Sequence, residues 1–496
     1  MQNIPVENEN RESYRALMLD GETRAKLWSQ VFESIESYIA GVAAAPITTN
    51  TDPSELHSFL KLFDFTQPVD PLKAIEFTVD GFWRYHVHNA HPRYFGLFVP
   101  APTTMGIVAD ALAAAFNPAL GARHLSPLAV EIERHVVDAF CNQCGYDSSN
   151  RDGLLTTGGS EANHTALLTA LTRMFPDFGK KGLRALTSEP VLYVSTEGHH
   201  SVLKAARLCG LGTDALREIP VDDCCRMNCD ALYRHVEKDK ARGLTPFLIV
   251  ATAGTTSAGA IDPISKLVEY AAQEKVWLHV DAAWGGATVL VPELRDLLRG
   301  IDCADSITLD VHKWLSIPMG AGLYLTRHAD ILERTFKVAA PYMPQASNSD
   351  RAPDPFTRSM QWSRRFVGLK IFLSLAVAGW DGYASTIRQQ ISLGDYLREK
   401  LAAAGWELLN KTSLPVVCFV DSRHPEGRTR HYLEIVEKAV VSGGQAWISV
   451  TALGCVPVLR ACITNYRTTF KDVDILIGEL ATAREQANRR FHGNLA

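Results

Sequence analysis

Five short runs, Val191–Ser195, Phe247–Ala251, Trp277–Val280, Ser306–Leu309 and Gly322–Thr326, are continuous and rich in β-branched and apolar residues, and helical stretches separate them. A strand with one wet face alternates polar and apolar residues, whereas a strand covered on both faces reads as an unbroken run. Strands of the second kind, alternating with helices, predict βαβ units and an α/β domain with a mostly parallel sheet. That topology also says where to look for function, because ligands of such sheets sit beyond the carboxyl ends of the strands.

The rest of the chain divides around this block. At 496 residues it exceeds what one ordinary core organises. Leu27, Val31, Ile35, Ile39 and Val42 recur at helical spacing over 21–43, a second helical stretch covers about 70–86, and the turn Val99-Pro100-Ala101-Pro102 follows. Residues 1–104 therefore read as a helical N-terminal arm and 105–379 as the large sheet domain. Residues 380–496 read as an α+β C-terminal domain, with strands near Val416–Val420, Ala446–Val450 and Val458–Ile463.

Composition narrows the function classes. Hydrophobic residues at 46% and charged residues at 21% are those of a folded globular protein. A net charge of −5, with Lys and Arg scattered, gives no electrostatic reason to bind nucleic acid or an anionic membrane. The densest apolar stretch, around Ile371 to Trp380, is far short of the ~20 residues of a membrane-spanning helix. The first residues show no basic and apolar signal pattern, so a cytoplasmic protein is expected. Of ten cysteines, Cys141 and Cys144 form a lone CxxC and Cys224, Cys225 and Cys229 a loose cluster. Neither has the second pair a zinc site needs, and no metal is expected.

Four segments at or just after the strand runs carry chemistry. Thr156-Thr157-Gly158-Gly159-Ser160-Glu161-Ala162 opens a helix through about Met174. Its glycines let backbone approach an anion, Ser160 can cap the helix, and the helix N-terminus favours negative charge. In Gly198-His199-His200-Ser201 a histidine can stack on a planar ligand or relay protons. In His279-Val280-Asp281-Ala282-Ala283 an acid closes a buried strand, which is costly unless a cation pairs with it. In Asp310-Val311-His312-Lys313-Trp314 a strand-end lysine beside an aromatic suits Schiff-base formation. Each has an ordinary alternative: a glycine turn, a loop histidine, a structural aspartate, a surface lysine. Their order and position together supply the contacts that pyridoxal 5'-phosphate (PLP) needs.

The sequence resembles the group II PLP-dependent decarboxylases, the family of aromatic-L-amino-acid, glutamate and cysteine-sulfinate decarboxylases. The resemblance rests on HPRYF, TTGGSEA, GHHSV, ATAGTTSAGAIDP, HVDAAWGG, DVHKW and SRRFVGLKIF, which run in order from His91 to Phe372, and on LRACITNYRTT beyond. It implies the fold-type I architecture and an intertwined homodimer with active sites at the subunit interface. It implies Lys313 as the Schiff-base lysine, Asp281 as partner of the pyridine nitrogen, and His199 and Ala283 on the two ring faces. It further implies Gly159, Ser160 and His312 around the phosphate and Thr252 beside the ring. Tyr342, 29 residues after Lys313 in Ala340-Pro341-Tyr342-Met343-Pro344, matches the loop tyrosine that protonates the substrate carbon in true decarboxylases; the aldehyde-forming relatives carry phenylalanine there.

Substrate class is read from Leu97, Phe98 and Val99, which match the pocket wall of the aromatic enzymes and are apolar here. The expectation is decarboxylation of an aromatic amino acid. An acidic or small polar substrate, an aldehyde-forming reaction on the same scaffold and a non-catalytic relative are the alternatives. Asp310 in place of asparagine, Trp284 in place of tyrosine and Leu97 in place of an aromatic depart from the best-known aromatic members, and they bear on the substrate rather than on the cofactor.

Overall fold

The computed structural model describes residues 17–49, 52–338 and 354–493. Its central sheet has seven strands: β1 (Asp152–Thr156), β2 (Pro190–Ser195), β3 (Leu216–Ile219), β4 (Thr245–Thr252), β5 (Trp277–Asp281), β6 (Ser306–Leu309) and β7 (Gly322–Thr326). They lie in the order β1-β7-β6-β5-β4-β2-β3. β7 is antiparallel to both of its neighbours, and the other pairings are parallel, so six strands point their carboxyl ends to one side. β2, β5, β6 and β7 are buried along their whole length, because apolar clusters cover both faces of the sheet. The five runs read from sequence are all strands of this sheet. The two strands not read there, β1 and β3, are its edges, where partly exposed residues dilute the apolar signal.

The C-terminal part forms a second sheet from β8 (Glu407–Leu408), β9 (Val416–Val420), β10 (Ser449–Leu453) and β11 (Val456–Cys462), antiparallel throughout. The helix Gly368–Ala403 joins the two sheets, and the boundary expected after residue 379 falls on its kink at Gly379, whose φ is 63°. One expected strand is displaced. Ala446–Val450 does not pair with β11 throughout, because Trp447 turns to the arm: its N–H donates to the Arg93 carbonyl (3.1 Å) and its carbonyl accepts from Phe95 N–H (2.8 Å). β10 therefore starts at Ser449.

The arm is helical, with Gly21–Gly41, Pro53–Leu60 and Pro71–Tyr85 each capped by an aspartate: Asp20, Asp52 and Asp70. These helices bury no residue fully, whereas Phe95, just beyond them, is wholly buried. No helix among the described residues is long and apolar enough to cross a membrane.

The backbone after β5 is packed too closely for side chains. A Cβ on Gly285 would collide with the Ala253 carbonyl oxygen, while Gly478, mid-helix in Phe470–Gly493, has nothing within 4 Å of that position. Gly285→Ala is expected to destabilise by about 1–3 kcal/mol, and Gly478→Ala to stabilise by about 0.5–1 kcal/mol. Urea unfolding, followed for an earlier transition in the first and a later one in the second, checks both.

Candidate active site

The carboxyl ends of β1, β2, β4, β5 and β6 bound a cleft of about 340 Å³. Gly159, Ser160, His199, Thr252, Asp281, Ala283, His312 and Lys313 all line it, so the fold brings together residues up to 154 positions apart in the chain. Thr252 and Asp281 end adjacent strands and face each other in register. Lys313 follows β6 by a turn, in which its N–H donates to the Asp310 carbonyl at 3.0 Å.

The electrostatics differ from the sequence expectation at the lysine. Trp314 does not surround it; the indole is buried, donates to Gln390 Oε1 (2.7 Å) and packs on Trp284. The partner of Lys313 Nζ is Asp310 Oδ2 at 2.9 Å. Asp310 is 5% exposed, and its Oδ1 has no hydrogen-bond partner. Gly159 makes room for it, since a Cβ there would stand 2.7 Å from Asp310 Oδ2.

At the anion end, the helix Gly159–Met174 points its N-terminus at the cleft. The cap is Gly158, which offers no side chain, and Ser160 sits exposed within the first turn rather than at the cap. Glu161 ties the loop down instead, accepting from both the N–H and the hydroxyl of Thr157 at 2.8 Å. First-turn N–H groups thus remain for a phosphate. His312 Nδ1 donates to the Ala321 carbonyl (2.7 Å), which leaves Nε2 as the nitrogen available to a ligand. Burial holds its imidazole below the ordinary range, with Asp310 opposing.

Asp281 is 4% exposed and has no cationic partner among the described residues. Its oxygens accept from Asn163 Nδ2 (2.8 Å) and Ala283 N–H (3.1 Å). Nearby His279 is no cation, because burial pushes it down to about 4. The Thr252 hydroxyl is also buried and unpartnered. An uncompensated buried carboxylate, an orphaned hydroxyl and a backbone anion cradle in one cleft fit the protonated ring nitrogen, ring oxygen and phosphate of PLP. His199 has much of its ring in solvent, yet burial of the remainder lowers its pKa, with Asp281 opposing.

The expected substrate wall is less direct. Phe98 is buried and stacked on Trp284, with ring centroids 4.4 Å apart and planes at 18°, and Trp284 lines the cleft. Leu97 is 46% exposed and Val99 half-buried, and none of Leu97, Phe98 and Val99 lines the cleft within one chain; Phe98 reaches it only through Trp284. Tyr342 lies outside the described residues. Sequence reasoning did not single out Arg460, which is 3% exposed, donates from Nη1 to the carbonyl of cleft-lining Thr256 (2.7 Å) and leaves Nε unpartnered. It stands inside the LRACITNYRTT segment, in an apolar run where a lone arginine was the only available signal.

Comparison with known proteins identifies the family and the fold. The pyridoxal-dependent decarboxylase conserved domain matches residues 60–421. The aromatic-L-amino-acid decarboxylase of Bacillus atrophaeus is 29% identical over 478 residues, 95% of this chain and 98% of the relative. The cysteine sulfinic acid decarboxylase of Homo sapiens is 30% identical over 443 residues, 86% of this chain and 89% of the relative. The apo crystal structure of mouse CSAD superposes with a TM-score of 0.87 at 28% identity, covering 94% of this chain and 99% of that one. The fold is the fold-type I architecture expected.

A buried neutral histidine makes stability fall in acid. The unfolded chain protonates His279 in the ordinary imidazole range, near 6.5, and the folded chain only at about 4. The stabilisation is complete above the unfolded value and is lost as pH falls through the folded one. The urea midpoint is expected to drop between pH 6.5 and 4, and His279→Gln to flatten that drop.

Proposed function

The chain belongs to the pyridoxal-dependent decarboxylase family, and we propose that within it the protein decarboxylates an aromatic L-amino acid to the amine and CO₂, as a homodimer. The reaction class, PLP-dependent amino-acid decarboxylation, comes with the family.

PLP supplies the electron sink that takes up the pair left on Cα when CO₂ departs. Lys313 Nζ, paired with Asp310 in the cleft, is the amine that would hold the cofactor. The first-turn N–H groups after Gly158, with Ser160 and His312, hold the phosphate end. The Asp281 carboxyl, buried and held by Asn163 and the Ala283 N–H, would face the ring nitrogen and favour a proton there. The Thr252 hydroxyl, buried without a partner, would find one in the bound ring. Tyr342 is the proton donor to Cα, a role that rests on the family resemblance.

The observation that carries the aromatic reading is Trp284 in the cleft wall, an indole backed by the Phe98 ring at 4.4 Å. Exposed Trp28, Phe32, Phe82 and Phe116, with an apolar cavity of about 360 Å³ between helices Gly21–Gly41 and Pro71–Tyr85, support a second copy of this chain as partner. Arg460 favours a second reading, an acidic substrate. Its guanidinium has no carboxylate among the described residues, sits 5.9 Å from the Phe98 ring centroid and is costly to bury unpaired.

Incubating the PLP-loaded protein with aromatic, acidic and basic amino acids tests these readings. An aromatic amine without peroxide is the expected product, and an acidic substrate turned over in preference assigns the wall to Arg460 instead. Tyr342→Phe is expected to cut amine formation about tenfold or more, with aldehyde, ammonia and peroxide appearing as oxygen is consumed.

A further inference from the structure

Asn163 is the fifth residue of the phosphate-loop helix, 4% exposed, and all four of its amide hydrogen-bonding positions are used. Nδ2 reaches Asp281 Oδ2 (2.8 Å) and Ser201 Oγ (2.8 Å), and Oδ1 faces Thr308 Oγ1 (2.8 Å) and His279 Nε2 (3.0 Å). We propose that Asn163 is a positioning residue that fixes the charge of Asp281 and the tautomer of His199 together. The inference rests on the PLP reading above.

Two ends of this buried network have no choice of role. Trp277 Nε1 can only donate, and an ionised Asp281 can only accept. Asp281 therefore forces the Asn163 NH₂ toward itself, and Oδ1 must accept on the other side. His279 is neutral and has one proton, which Nε2 spends on Asn163, so Nδ1 accepts from the Ser306 hydroxyl (2.8 Å). Ser306 accepts in turn from Trp277 Nε1 (2.9 Å). On the opposite branch, Ser201 Oγ accepts the second Asn163 N–H and donates to His199 Nδ1 (2.8 Å). The Ser201 N–H also donates to that nitrogen, at 3.2 Å. His199 Nδ1 is thus an acceptor twice over, and its proton resides on Nε2.

The consequence is directional. Asn163 gives one N–H to the carboxylate that faces the cofactor nitrogen and the other to the serine that orients the histidine. The charged and titratable groups acting on His199 are Asp281, Lys313, His200 and Asp310, and of these Asp281 alone shares Asn163. Loosening Asn163 disturbs both cofactor contacts at once, whereas loosening Ser201 disturbs the histidine only.

Full-length wild type, Asn163→Asp, Asn163→Ser and Ser201→Ala test this. The readouts are the PLP dissociation constant by equilibrium dialysis and the pH midpoint of bound-cofactor absorbance without substrate. The pH dependence of diethyl pyrocarbonate modification at His199 in the cofactor-free protein is a third. Asn163→Asp places two carboxyls in contact that share one proton, so a midpoint shift of about half a pH unit or more is expected. Both 163 variants are expected to raise the PLP dissociation constant about tenfold or more. Ser201→Ala is expected to raise it less than either 163 variant does and to raise the His199 midpoint by about half a unit, since a donor to the neutral ring is lost. PLP affinity and absorbance at wild-type values in the 163 variants would overturn the proposal, even if their thermal stability fell. Should Asn163→Asp not fold, Asn163→Ser and Ser201→Ala decide. A wild type that binds no PLP is a different failure, that of the cofactor reading itself.

Discussion

A carboxylate at the end of the central strand of a buried sheet is the constraint on which the site depends. Asp281 has lost its water and found no protein cation among the described residues, only two N–H donors. Such a charge is tolerable in a cleft where a cation is to be bound, and expensive anywhere else. Much of the surrounding structure serves it. β5 delivers it to the carboxyl edge, β4 places Thr252 beside it, and Asn163 holds it from the phosphate-loop helix.

The same arrangement puts the lysine on the next parallel strand of the sheet. β6 pairs with β5, and the turn after β6 returns Lys313 to the cleft, where Asp310 balances its ammonium until the covalent partner arrives. Glycines at 159, 285 and 286 let backbone segments approach where any side chain would collide. The close packing that positions the site is therefore also a source of its fragility.

Much of this was legible in the sequence, for a physical reason. β2, β4, β5, β6 and β7 are covered on both faces, so their runs stand out, and each chemistry-bearing segment follows such a run or opens the phosphate-loop helix. Edge strands β1 and β3 were illegible because half their residues face solvent or its margin. The displaced β10 was illegible because the pairing of Trp447 with Arg93 and Phe95 spans more than 350 residues. Within the site, Asn163, Ser201 and Arg460 escaped notice as cofactor or substrate groups, and Asp310, read as bearing on the substrate, pairs instead with the lysine that would hold the cofactor. Their importance lies in which buried atoms they leave paired or orphaned, and no spacing rule reveals that. Ser160 shows the converse: a serine after a glycine pair reads as a cap, but the cap is Gly158 and the helix begins two residues earlier than that reading has it.

The central claim is that Lys313 carries PLP in the cleft that Asp281 closes. Borohydride reduction of the PLP-loaded protein followed by peptide mass mapping measures it directly. A pyridoxyl adduct on the peptide containing Lys313, and none in Lys313→Ala, is the predicted result. An adduct on another lysine, or cofactor retained with no reducible link to Lys313, would contradict it.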